Sequence, residues 1–95
     1  MQNLTKKEIQ LLNIYDIQNL NSFMINSLTP IQISYLLPSQ IKYFTTQQIP
    51  FFTITQITSF SKEQFKMFSP EQIRALQPIQ VNNLSSIQKR ILNIY

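Results

Sequence analysis

Glycine, cysteine, histidine and tryptophan are absent from this chain of 95 residues, and alanine occurs once. Without cysteine or histidine there is no thiolate nucleophile, no imidazole base and no metal site of the usual soft or borderline kind. Acids are scarce as well. Glu8, Asp16, Glu63 and Glu71 are the only four, so a carboxylate-based active site or a calcium cage would have to be assembled from scattered single residues. No enzyme, no metal and no cofactor are expected from this composition. A run of about 18 apolar residues is also missing, which excludes a membrane-spanning helix. Met1 to Glu8 carries lysines without an apolar stretch behind them, so no secretory address is read there. The lack of cysteine leaves the redox compartment, and with it the location, open.

What is present is apolar and uncharged. The apolar share is 43%, enough for a core, and the length suits one domain. Asn and Gln number 21, Ser and Thr 16 and Ile 15, a bias that weakens arguments from missing residue types. The net charge is +4, divided as +1 over residues 1–48 and +3 over residues 49–95. That gives a weak attraction to polyanions.

A fixed period decides the architecture. Written in eights from Thr5, the chain is eleven octads over 5–92 with a partial unit at 93–95, a single repeat array spanning 1–95. The eighth column, from Leu4 to Leu92, is Leu or Phe at all twelve positions. The fifth is Ile, Phe or Val except at Lys89. The fourth is Gln eight times, after Glu8, Asp16 and Met24 in the first three units. The first is Ser, Thr or Asn except at Leu37 and Gln77, and the second is Pro at Pro30, Pro38, Pro70 and Pro78.

This consensus, Ser/Thr-Pro-x-Gln-Ile-x-x-Leu, spells a helix start. Ser or Thr suits the N-cap, and Pro suits the first helical position, where its missing N–H costs nothing. Gln at the third helical position reaches back to the N-cap N–H as a capping box. The preceding Leu or Phe meets Ile at the fourth helical position as a hydrophobic staple. The same residues end the helix before, because a residue preceding Pro is pushed out of the α region. Thr29, Leu37, Ser69 and Gln77 are therefore expected to be extended, with helices of at most about two turns joined almost directly.

One long helix does not fit. Eight residues advance the apolar pair by about 80°, so the stripe would wind round the helix, and heptads are absent. The spacing predicts an all-α fold: a solenoid or superhelix of very short helices, one per octad. A single octad buries about two side chains, at about 1.5–3 kcal/mol each. Its ordering cost is about 12 kcal/mol, so units must lean on their neighbours. Phe23, Ile31, Tyr35, Phe51, Ile79 and Ile91 are expected to add packing. The weakest stretch surrounds Pro50, and Phe51 to Phe60 is rich in β-formers. A strand there competes with the helical register, and an irregular turn at Pro50 is the middle course.

Phe68-Ser69-Pro70-Glu71-Gln72-Ile73 and Leu28-Thr29-Pro30-Ile31-Gln32-Ile33 resemble the opening of the first helix in repeats of bacterial TAL-effector DNA-binding proteins. Nearly the whole chain is similar to the short octapeptide-repeat arrays of bacterial secreted and surface proteins. The first resemblance implies nucleic-acid binding, although those repeats are far longer and use a glycine loop that this chain lacks. The second implies a repeat architecture in contact with other macromolecules.

The fourth-column glutamines read as caps or inter-unit hydrogen-bond ladders. Phe44, Phe52, Phe60 and Phe68 read as core, and Tyr15, Tyr35, Tyr43 and Tyr95 as core edges. Lys42, Lys66, Arg74 and Arg90 recur in the sixth column, off the apolar stripe, and are candidate polyanion contacts. Leu4, Ile91, Leu92, Ile94 and Tyr95 are candidate end-to-end contacts, since the C-terminus is apolar. The function expected is a non-enzymatic scaffold that binds protein, including more copies of itself stacked end to end into filaments. The alternative is a nucleic-acid-binding array with a basic ridge.

Overall fold

Helices begin where the first column places them. The computed structural model describes residues 3–94, and among these the chain forms ten short α-helices, one 3₁₀ turn and no strand. The helices are α1 (Lys6–Gln10), α2 (Ile14–Gln18), α3 (Ser22–Asn26), α4 (Pro30–Tyr35) and α5 (Pro38–Ile41), then α6 (Ile54–Ile57), α7 (Lys62–Lys66), α8 (Pro70–Arg74), α9 (Pro78–Asn82) and α10 (Ser86–Ile91). The 3₁₀ turn, Ile49–Phe51, stands between α5 and α6, so every octad has one element.

At Thr29, Thr53, Ser61, Ser69 and Ser85 the hydroxyl accepts the backbone N–H of the glutamine three residues on, and that glutamine's Oε1 accepts the cap's own N–H. Thr5 with Glu8 and Asn13 with Asp16 form the same box with a carboxylate. The Thr5 backbone N–H, and then its hydroxyl, hold the Glu8 carboxyl below the ordinary carboxylate range. Each residue before a second-column proline is extended, with ψ of 160° at Thr29, 146° at Leu37, 159° at Ser69 and 152° at Gln77, whereas Ile49 before Pro50 opens the 3₁₀ turn. The strand over Phe51 to Phe60 does not form. Pro50 has no N–H to continue an α-turn, so the octad tightens to 3₁₀. α6 then restarts behind the Thr53–Gln56 box, with Phe52, Ile57 and Phe60 buried.

The glutamines also join octads far apart in the chain. Gln40 Nε2 donates to the carbonyls of Ile9 and Leu12, at 2.8 and 3.0 Å. The pattern repeats for Gln48 on Ile17 and Leu20, Gln56 on Ile25 and Leu28, Gln64 on Ile33 and Leu36, Gln72 on Ile41 and Phe44, and Gln80 on Ile49 and Phe52, all between 2.7 and 3.1 Å. In these six the acceptors are the fifth and eighth residues of the octad four units earlier; Gln56 also reaches the sixth-column Asn26 carbonyl, and Gln88 reaches Thr58 instead. Helix packing links octads three apart, as α1 with α4, α5 with α7, α6 with α9 and α7 with α10. One turn of the coil therefore closes between three and four octads, as residues i+3 and i+4 flank one turn of an α-helix. The ladder and cap readings of the glutamines describe the two ends of one amide.

Between the layers lie the fifth-column residues from Ile9 to Phe65, all buried. The eighth column forms a spine: the rings of Phe44, Phe52, Phe60 and Phe68 meet edge to face in sequence, with centroids 5.2, 5.3 and 5.6 Å apart. The array measures 36 × 21 × 20 Å, and its radius of gyration of 12.3 Å matches the value of about 12 Å for a packed domain of this length. Among the described residues no buried side-chain nitrogen or oxygen lacks a hydrogen-bond partner.

Gln64, 2% exposed, tests the ladder. Gln64→Leu leaves the Ser61 N–H and the Leu36 carbonyl unpaired and the Ile33 carbonyl with the Leu36 N–H alone, and is expected to lose about 2 kcal/mol in urea unfolding. Gln64→Glu keeps the acceptor, loses both donors and buries a charge, for a loss of about 3 kcal/mol or more at pH 7. Burial raises the new carboxyl's folded pKa above its unfolded value of about 4.3. Stability of this variant then falls as pH rises above that value, and it should be firmer at pH 5 than at pH 7, whereas Gln64→Leu should show no such added dependence.

Candidate interaction surface

The fifth and eighth columns turn inward throughout, the fourth from Gln32 on, and the seventh is half-buried in most octads. The third column is exposed in all eleven octads. Phe23, Ile31 and Ile79, expected to add packing, lie in that column and stand in solvent, Phe23 at 80% exposure. Tyr15, expected at a core edge, is 74% exposed. Tyr35, Tyr43, Phe51 and Ile91 are half-buried against the core, as expected.

The exposed apolar side chains are concentrated toward one end. Of nine large ones among the described residues, Leu11, Ile14, Tyr15, Phe23, Met24, Ile31 and Leu37 fall in the first five octads, and Ile79 and Ile87 in the last two. A shallow groove of about 480 Å³ opens beside Leu11 and Leu37, flanked by Lys6, Lys7 and Gln10. This end thus offers apolar surface with two cations at its margin. Sequence periodicity missed this, because it marks which residues are apolar but not which arc of a two-turn helix is covered by a neighbouring turn.

The sixth-column cations Lys42, Lys66, Arg74 and Arg90 are all exposed. Lys42 follows α5, Lys66 ends α7 and Arg90 lies in α10; α7 packs on both other helices. Arg74 sits one octad beyond Lys66 and pairs with Glu71 at 3.3 Å, an exposed contact worth little. The four are therefore carried by neighbouring octads.

Among the candidate end residues, Leu92 corrects the expectation. It is 2% exposed and belongs to the core of its own array, because the eighth column faces inward to the last octad. Leu4, Ile91 and Ile94 are half-buried against that core, and Tyr95 lies outside the described residues. Asn93, in the first column, follows α10. Its φ is 60°, and Ile94 donates its N–H to the Lys89 carbonyl at 2.8 Å, a left-handed helix stop of the kind glycine usually provides.

No protein-family model, curated protein or solved structure matches the chain. Among the described residues no helix is long and apolar enough to cross a membrane.

Because the third column carries no packing, Tyr15→Ser, Phe23→Ser and Ile31→Ser together should change the unfolding free energy by no more than about 1 kcal/mol. Ile57→Ala alone, in the buried fifth column, should cost about 3 kcal/mol. Urea titrations followed by circular dichroism compare the two directly.

Proposed function

We propose that the chain is a non-enzymatic interaction scaffold that binds protein through the exposed apolar surface of its first five octads. The observation that carries this reading is the concentration of seven of the nine exposed large apolar side chains between Leu11 and Leu37. Folded monomers seldom leave extended apolar surface in water unless a partner covers it. The remaining surface is Asn, Gln, Ser and Thr with few charges, and the coil holds its shape without help from the third column. Aromatic anchors such as Tyr15 and Phe23 suit the centre of a protein interface. A second copy of the chain is one such partner. Self-association then proceeds through the apolar surface of the first five octads, with the half-buried Leu4, Ile91 and Ile94 contributing little.

Two measurements test this. Sedimentation over a range of concentrations should show reversible self-association that Tyr15→Ser, Phe23→Ser and Ile31→Ser abolish. Peptides selected by display on the wild-type chain should lose binding to the same triple variant. If neither sedimentation nor the selected peptides distinguish wild type from variant, the apolar surface is not the binding face.

A second reading is favoured by one observation, the placement of Lys42, Lys66 and Arg90 on octads whose helices pack in series. Such a ridge would meet the phosphates of a nucleic acid. Binding to single-stranded RNA should then weaken with salt with a log–log slope of about −2 to −3, and Lys66→Gln should reduce that slope by about one phosphate. Salt-independent or absent binding removes this reading.

A further inference from the structure

The fourth column departs from glutamine in three octads only, and these are the three whose helices rest on no earlier turn. Gln32, in the fourth octad, is the first that can reach back, and it donates to the Leu4 carbonyl at 3.2 Å. Glu8, Asp16 and Met24 are exposed. Glu8 and Asp16 still accept the N–H of their N-caps, at 3.0 Å each, so they complete the capping half of glutamine's role. A carboxylate has no N–H for the other half, and a thioether has neither function.

At the opposite end the chemistry is complementary to glutamine. Among the described residues no side-chain donor reaches the carbonyls of Ile73, Leu76, Val81 or Leu84, the fifth- and eighth-column acceptors of octads nine and ten. Those of Ile73 and Val81 take only the N–H of Leu76 and Leu84. In octads one to six each such carbonyl receives a glutamine amide, and in octad seven Gln88 reaches the Thr58 carbonyl instead.

We propose that the last turn of the coil is a docking surface for a turn of octads carrying glutamine in the fourth column, and that Glu8, Asp16 and Met24 bar a second copy of this chain from supplying it. The occupant is argued from continuity: the same carbonyl face is filled in the same way in octads one to six. In a head-to-tail pair, Glu8 and Asp16 would set carboxylate oxygens against carbonyl oxygens, and Met24 would leave its carbonyls without a side-chain donor. This proposal does not rest on the exposed apolar surface of the first five octads.

The test uses the full chain with Tyr15→Ser, Phe23→Ser and Ile31→Ser as a parent, so that association through that surface is removed. Into it go Glu8→Gln, Asp16→Gln and Met24→Gln. Circular dichroism confirms that both proteins are helical, and sedimentation velocity reads their mass. The parent should remain at 11.2 kDa as concentration rises, while the glutamine variant should grow several-fold into open-ended oligomers. Added parent should shorten those oligomers, because it brings a carbonyl face and no amide face. A folded glutamine variant that stays at the parent's mass overturns the proposal, as does a parent that grows equally or lengthens the oligomers. If the triple glutamine variant loses its helical signal, Glu8→Gln with Asp16→Gln is read in the same way.

Discussion

The primary amide of the fourth-column glutamine is the interaction on which the rest of the structure depends. A helix of five residues is almost entirely ends: its first N–H groups and last carbonyls have no partner within it, and in isolation it would not persist. Glutamine answers both deficits with one group. Its oxygen takes the N–H at the start of its own helix, and its nitrogen supplies two hydrogens to carbonyls near the end of a helix four octads back. Neighbouring residue types each fail one requirement. Glutamate lacks the donors, lysine the acceptor and methionine both, while asparagine is a methylene too short to cap at the third helical position and still span the gap between turns. A buried polar group left unpaired costs about 1–3 kcal/mol, which is large beside what one octad's two core side chains provide.

The parts legible in the sequence are those fixed within eight residues. Caps at Thr29 or Ser69, extended residues before Pro30 or Pro70, and the inward Ile and Leu columns all follow from local steric and hydrogen-bonding rules. The turn number of the coil does not. It depends on the partner of Gln40 lying 28 and 31 residues away at Leu12 and Ile9, and nothing in the octad itself encodes that distance. The third column misled for a related reason: in Phe23 and Ile31 the chain carries apolar residues on an arc that no neighbouring turn covers. At Pro50 both local readings were incomplete. The missing N–H tightens the octad, but burial of Ile49 and Phe52 keeps it in register. Asn93 shows the limit of column counting, because its identity suits either an N-cap or a left-handed stop, and the choice was made by the Lys89 carbonyl and the burial of Ile94.

Glu8, Asp16 and Met24 look like irregularities when the fourth column is read alone. In the coil they mark the boundary between octads that rest on an earlier turn and octads that do not. The candidate end contacts show the same logic in reverse. Leu92 is apolar because the eighth column is always core, not because it awaits another molecule.

Since octads three and four apart are the ones that touch, side chains that meet on the surface of this coil are not neighbours in sequence. Lys42, Lys66 and Arg90 are each three octads apart, and Lys42 and Arg74 four apart. A recognition surface built on this array must therefore be read at those two strides, with adjacent octads contributing to different sides. The first, fourth, fifth and eighth columns hold the path of the chain, so the others can change without moving it. That separation lets one backbone present an apolar end and a basic flank on the same short rod.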